Sequence, residues 1–226
     1  MILAKKITVL LAEDHAVVRQ GLSALLAMDG HFQMAGEART GREAVALARS
    51  LKPDVILMDI AMPVLNGLEA TRQILAADPA AKVVILSAHS DDGYIERMNA
   101  AGVVGFLEKQ TSAEILTKAI REVAAGKTYF SPSIAKRLHT QAGAARDRAG
   151  LRKAQGNALT PREREVLQLV TEGFANKQIA AEMDITEVTV KMHRGNIMRK
   201  MQARSLADLV RMADLLGISR TKSKAP

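Results

Sequence analysis

Through residue 125 the chain alternates between short apolar runs and longer stretches in which apolar positions recur every three or four residues. Residues 6–12, 32–38, 55–58, 82–86 and 103–107 read as strands, and residues 17–26, 41–50, 68–77, 92–101 and 112–125 read as helices. Five strands interleaved with five helices predict an α/β fold, a doubly wound five-stranded parallel sheet with helices on both faces. The strands lack polar alternation, as expected where both faces of a sheet are covered. Beyond Gly126 the pattern fades. A short helix can start at Ser131–Pro132 with Ile134 and Leu138 facing inward. Residues 141–157 carry Gly143, Gly150 and Gly156 among scattered Arg and read as a linker.

Helical spacing returns at Leu159. Thr160-Pro161-Arg162-Glu163 is a start signal, with Thr160 as cap, Pro161 where its missing N–H is harmless, and Glu163 completing a capping box. Val166, Leu167 and Val170 make an inner face that ends at Gly173. Asn176 can cap a second, short helix containing Ile179, Ala180 and Met183. After the turn at Asp184–Ile185, Thr186 can cap a third helix reaching about Gln202, and Ser205 a fourth closed by Gly217. This all-α unit has the layout of a four-helix helix-turn-helix domain. The expected organisation is a first domain at 1–126, a linker with a short helix at 127–157, a helical domain at 158–217 and a basic tail at 218–226.

Charge separates the two halves. Residues 1–130 hold 14 basic and 15 acidic side chains, and residues 131–226 hold 18 and 9, so the net charge of +8 sits in the second half. A basic helical domain after a neutral one points to a polyanionic partner. The chain has no Cys, which excludes disulfides and thiolate metal sites and fits a reducing, cytoplasmic setting. Neither a secretory signal nor an apolar stretch near the roughly 20 residues of a membrane helix is expected.

In an open α/β sheet, ligands bind beyond the carboxyl ends of the strands. Glu13–Asp14, Asp59, Ser87 and Lys109 all fall there. Three acids, a hydroxyl and an ammonium at one edge suit phosphoryl transfer to a carboxylate. In that chemistry Asp59 is the nucleophile, Mg²⁺ is held by carboxylates, a carbonyl and water, and Ser87 and Lys109 meet phosphoryl oxygens.

The residues Leu11-Ala-Glu-Asp-His15, Met58-Asp-Ile-Ala-Met-Pro63 with Asn66–Gly67, Leu86-Ser-Ala88 and Gly105-Phe-Leu-Glu-Lys109 resemble the receiver domain of response regulators over residues 5–125. The resemblance implies a flavodoxin-like strand order 2-1-3-4-5 and a sensor histidine kinase as phosphoryl donor. It makes Asp59 the phosphoacceptor, Glu13, Asp14, Asp59 and the Ala61 carbonyl the Mg²⁺ ligands, and Ser87 and Phe106 a switch pair that moves inward on phosphorylation. That movement would reshape the surface of the fourth helix, fifth strand and fifth helix. The positions of Ala61 and His89 tune phosphoryl lifetime in the family. Glu13 stands where many members have Asp, and Gln110 where Pro is common. Beyond taking its own phosphoryl group from a donor and slowly losing it, the protein is not expected to be an enzyme.

On a helical wheel, Val190, Ile197 and Met201 share one face of the third helix, within about 40°. Val188, Lys191, Met192, Gly195 and Arg199 lie opposite, a partly apolar cationic face suited to a major groove. Lys177, Gln178, Arg194, Lys200 and Arg204 flank it as phosphate contacts, and the first-turn N–H groups behind Thr186 can hold another phosphate. The runs Leu159-Thr-Pro-Arg-Glu-Arg-Glu-Val-Leu167, Asn176-Lys-Gln-Ile-Ala180 and Thr189-Val-Lys-Met-His193 resemble the LuxR-type helix-turn-helix over residues 157–217. With the receiver, they identify the chain as similar to the NarL/FixJ response regulators. The resemblance implies promoter DNA as partner, a homodimer on activation paired through the fourth helix at Val210 and Ala213, and RNA polymerase as a further partner. The outer face of the third helix is expected to lie against the receiver in the resting state.

Two other functions are alternatives. An aspartyl phosphohydrolase needs a second acid two residues after its nucleophile, where this chain has Ala61. The other is a receiver coupled to an RNA-binding or protein-binding helical output; single-stranded RNA would be stacked on aromatic side chains, and only 3% of this chain is aromatic.

Overall fold

A computed structural model of the chain describes residues 5–88, 92–136, 138 and 159–218, and the side chains of all of these except residues 92–94. The first domain runs β1 (Ile7–Ala12), α1 (Ala16–Met28), β2 (Phe32–Ala38), α2 (Gly41–Leu51), β3 (Val55–Asp59), α3 (Gly67–Ala77), β4 (Val83–Ser87), α4 (Asp92–Ala101), β5 (Gly105–Glu108), α5 (Ala113–Ala124) and β6 (Tyr129–Phe130). The second runs α6 (Pro161–Thr171), α7 (Asn176–Met183), α8 (Glu187–Met201) and α9 (Leu206–Leu215). Among the described residues, no helix is long and apolar enough to cross a membrane.

All strands are parallel, in the order β2-β1-β3-β4-β5-β6. Alternate residues of each strand feed two cores. Leu10, Ile56, Met58, Ile85 and Phe106 pack with Ile74, Ile95 and Met98 on one face. Val9, Leu11, Leu57, Val84 and Leu107 pack with Leu26, Leu116, Ile120 and Val123 on the other. Burial on both sides is why the strand sequences are continuously apolar.

The sheet has one strand more than expected. Tyr129 and Phe130 pair with Gly105 and Phe106, and the following helical residues 132–136 bring Ile134, fully buried, into the first core. The start of the expected linker therefore belongs to the receiver-like domain and covers the open edge of β5. The alternation rule missed a two-residue strand because so short a run carries no period. Residue 137 and the remainder of the expected linker, residues 139–157, lie outside the described residues, as do residue 158 and the basic tail beyond Ile218.

The helical domain is built by its caps. Thr160 and Glu163 form the capping box of α6, Thr186 accepts the Thr189 N–H at the start of α8, and Ser205 accepts that of Asp208 in α9. At α7 the cap position is Ala175, whose N–H is met by the Gln178 side chain at 2.8 Å; Asn176 is the first helical residue rather than the cap. Leu167, Leu169, Ile179, Val190, Ile197, Leu209 and Ala213 form the domain's own core.

The two domains touch through α6 and the β3–α3 loop, residues 60–66. Arg164 pairs with Glu69, Gln168 bonds the backbone of Met62 and Asn66, and Glu165 meets Gln73 and Arg42. This differs from the expectation that α8 would face the receiver. The buried contact is made by the polar side of α6, and Val188 and Met192 on α8 remain 75% and 56% exposed.

Candidate functional site

Four strand ends position one polar pocket. Glu13 and Asp14 follow β1, Asp59 ends β3, Ser87 ends β4, and Lys109 follows β5. Glu13, Asp59 and Ser87 are buried. The Lys109 ammonium lies 2.7 Å from Glu13 Oε2 and 3.0 Å from Asp59 Oδ2. Its backbone N–H donates to the Ser87 carbonyl at 2.8 Å, which fixes the lysine beside β4. The Lys109–Gln110 peptide is trans, as are all others among the described residues.

The electrostatics follow from this burial. Loss of solvent pushes the Asp59 carboxyl above the usual carboxylate range; the Lys109 ammonium pulls it back, and the neighbouring Glu13 carboxylate pushes it up again. For Lys109, burial works against the charge, but attraction to Asp59 and hydrogen bonds to Glu13 and Asp59 outweigh it and hold the ammonium above its ordinary value. A buried carboxylate with one cation balancing two acids leaves negative charge in excess. Ligand atoms of Glu13, Asp14, His15 and Asp59 lie within 4.8 Å of one another. Carboxylate oxygens at that spacing fit a hard divalent cation.

Two residues that sequence reasoning passed over support the pocket. His15 Nδ1 lies 2.8 Å from Asp14 Oδ1 and 3.1 Å from Glu13 Oε1 at the rim. Arg19, buried in α1, donates to the Glu13 carbonyl at 2.9 Å and pairs with Glu37, which fixes the β1–α1 loop. A lone arginine in an amphipathic helix gives no signal of such a role.

Ala61 lies in the β3–α3 loop, two residues beyond Asp59. Gly67 closes this loop: a Cβ there would sit 1.9 Å from the Asp59 carbonyl oxygen, so only glycine permits the approach. Phe106 is 1% exposed, with its ring already packed among Ile85, Ile95 and Ile134. The ring is thus inward in this structure, on the side of the core that Phe130 and Ile134 complete. His89 lies outside the described residues.

On the helical domain, Val188, Lys191, Met192, Gly195 and Arg199 line the exposed face of α8, and nothing lies within 4 Å of a Cβ built on Gly195. Lys177 and Gln178 are exposed at the start of α7. The flanking cations are less available than expected. Lys200 Nζ is 2.7 Å from the buried Glu163 carboxylate and serves as an internal partner instead of a free phosphate contact. Arg194 donates to Asn176 at 2.7 Å, joining α8 to α7. Thr186 spends its hydroxyl as the helix cap. Val210 is half-buried, whereas Ala213 is fully buried in the domain core and offers no surface to a second copy. The exposed apolar positions of α9 are Leu206 and Leu215.

A mixed cavity of about 870 Å³ between α2 and α3, lined by Arg49, Lys52, Asp54 and Lys82, opens at the opposite end of the sheet from Asp59. The chemistry converges at Asp59 and not there.

A parallel α/β domain with acids and a lysine at its strand ends, joined to a helix-turn-helix, defines a receiver domain with a DNA-binding output. Comparison with known proteins agrees. The response regulator receiver domain matches residues 9–121, and the LuxR family of bacterial regulatory proteins matches residues 157–213. The chain is 37% identical over 207 residues to the transcriptional regulatory protein DegU of Brevibacillus brevis, covering 87% of this chain and 88% of that protein. It is 36% identical to the response regulator VraR of Staphylococcus aureus, covering 90% and 94%. A LuxR-family two-component response regulator from Aurantimonas superposes with a TM-score of 0.58 at 31% identity, covering 61% of this chain and 98% of that one. The chain belongs to the NarL/FixJ response regulators, and is a DNA-binding transcription regulator.

Proposed function

We propose that Asp59 accepts a phosphoryl group from a sensor histidine kinase and that this modification controls dimerisation and promoter binding by the helix-turn-helix domain. The observation that carries the reading is the buried Asp59 carboxylate facing Lys109 at 3.0 Å, beside Glu13 and Asp14. A carboxylate oxygen of Asp59 attacks phosphorus, and the donor's leaving group departs with the bonding pair, giving an acyl phosphate. Lys109 neutralises phosphoryl oxygen charge, and the Ser87 hydroxyl donates a hydrogen bond to it. Mg²⁺, held by Glu13, Asp14, Asp59 and the Ala61 carbonyl, would offset the remaining negative charge as the two anions meet. The protein's own catalysis is limited to this self-phosphorylation and a slow self-dephosphorylation.

The output reads duplex promoter DNA with Val188, Lys191, Met192, Gly195 and Arg199 toward the bases and with Lys177, Gln178 and the N-terminus of α8 at Thr186 toward phosphates. Arg194 and Lys200 shape the domain behind them. RNA polymerase is the further partner such a regulator would engage.

The deciding experiment supplies acetyl phosphate and Mg²⁺ to the full chain and to Asp59→Asn and follows incorporation by intact mass. The parent gains one phosphoryl group and the variant none. Equal incorporation by both would remove Asp59 from the role.

A further inference from the structure

The β3–α3 loop leads directly from Asp59, and it is the part of the receiver that the output domain grips most closely. Gln168 of α6, 1% exposed, accepts the Asn66 N–H at 2.8 Å and donates through Nε2 to the Met62 carbonyl at 3.1 Å. The same amide donates to Glu172 Oε1 at 2.8 Å, and Glu172 Oε2 accepts the Val64 N–H at 3.2 Å. The Asn66 side chain donates in turn to the Ile218 carbonyl at 3.2 Å. The output domain therefore bonds the backbone of three loop residues, Met62, Val64 and Asn66.

Val64 lies at the centre of the grip with φ of 68°, and its side chain packs against the core of the output domain. The left-handed region is costly for a β-branched residue and persists only where surrounding contacts impose it. Lys52, Asp184 and Gln202, the other non-glycine residues of positive φ among those described, all cap helices. Val64 instead sits at the centre of a tight turn closed by the Leu65 N–H on the Pro63 carbonyl at 2.7 Å, and the docked domain packs on the side chain that this turn presents.

The loop's other side is bound to the phosphoacceptor. The loop starts at Asp59 itself, Gly67 N–H donates to the Ile60 carbonyl at 2.9 Å, and Gly67 packs against the Asp59 carbonyl. The surface around Phe106, by contrast, is covered by β6 and Ile134.

We propose that Gln168 and Glu172 form a clamp on the β3–α3 loop that couples phosphorylation of Asp59 directly to docking of the output domain, by a route that bypasses Phe106. The proposal rests on Asp59 being the phosphoacceptor. A phosphoryl group on Asp59 changes the residue from which the loop springs and against whose carbonyl Gly67 packs, and the loop moves with it. Met62, Val64 and Asn66 then leave the register that Gln168 and Glu172 require. Docking withholds no base-reading surface, since that face of α8 is exposed; the clamp sets whether the output domain is tethered to the receiver. Linkage makes the effect reciprocal: whatever factor the phosphoryl group takes from docking, loss of docking returns to phosphoryl binding.

The absence of native Cys allows spin labels at Met28→Cys and Ala181→Cys, both exposed, in the full chain. The expected inter-label distance distribution is narrow in the parent and broad in Gln168→Ala and Glu172→Ala, without any phosphoryl donor. Both variants should bind the phosphoryl mimic beryllofluoride, with Mg²⁺, at least threefold more tightly than the parent. Amides of Val64 and Asn66 should lose hydrogen-exchange protection in the mimic-bound parent and in the variants alike. If Gln168→Ala fails to fold, Glu172→Ala at the helix end decides. An unchanged distance distribution, or opening by the mimic with Val64 and Asn66 still protected, overturns the clamp. The two readings separate in an Asp59→Asn background, which cannot take the mimic: Gln168→Ala must still open the domains there, whereas failure of the parent to bind the mimic would count against Asp59 itself.

Discussion

Arg164 Nε lies 2.7 Å from Glu69 Oε2 and its Nη2 3.2 Å from Glu69 Oε1, a two-point ion pair that joins α6 of the output domain to α3 of the receiver. The Glu69 side chain is 4% exposed, and Arg72 also approaches it at 3.5 Å. Removing one partner of a buried pair costs about 3–5 kcal/mol if the other charge stays buried. Here separation of the domains returns Glu69 to water at lower cost. Arg164→Ala should therefore broaden the interdomain distances while leaving the melting of the receiver nearly unchanged. A large fall in receiver stability with the domains still docked would contradict this.

Glu163 and Lys200 predict a pH dependence inside the output domain. Burial raises the Glu163 carboxyl, but hydrogen bonds from Lys200 and Thr160 and the lysine's charge prevail and hold it below the usual carboxylate range. A depressed folded-state value means that the stabilisation is present above the unfolded value near 4.5 and is lost as pH falls through the folded one. Glu163→Gln should lower stability by about 1–3 kcal/mol at neutral pH. Its difference from the parent should shrink in acid, which denaturant titration at several pH values would measure.

DNA binding should show a steep salt dependence, since each phosphate neutralised contributes about 0.9 to the log–log slope. Lys177→Ala should weaken all sequences alike and lower that slope by about one, whereas Lys191→Ala should relax sequence preference. Lys200→Ala should act mainly by destabilising the domain through the stranded Glu163 carboxylate. Binding to a panel of duplexes at several salt concentrations, paired with thermal melts, tells these apart.

If copies pair through α9 as the family resemblance implies, opposite outcomes are expected at two neighbouring positions. Val210→Asp should weaken association on DNA without altering the melt. Ala213→Asp places a charge in the domain core and should unfold it. Sedimentation with duplex DNA, with circular dichroism as the folding control, measures both.

Metal binding provides a test independent of phosphorylation. Asp14→Ala should weaken Mg²⁺ affinity at least tenfold by removing a carboxylate from the cluster, and Glu13→Asp should retain it. Equal affinity in the parent and Asp14→Ala would exclude Asp14 as a ligand.

Local pattern settled much of this protein before any coordinates. Continuous apolar runs, helical spacing and capping residues such as Thr160 and Ser205 act over a few residues, so the ten main elements of the receiver and the four helices of the output were legible. Strand-end chemistry was legible too, because a parallel sheet delivers Glu13, Asp14, Asp59, Ser87 and Lys109 to one edge whatever the loop details. Long-range packing decided the rest. The pairing of Tyr129–Phe130 with β5, the burial of Ala213 and the internal pairing of Lys200 depend on neighbours distant in sequence. The docking of α6 on the β3–α3 loop depends on Gln168 and Glu172 meeting backbone groups about a hundred positions away, and no periodicity in either segment records that meeting.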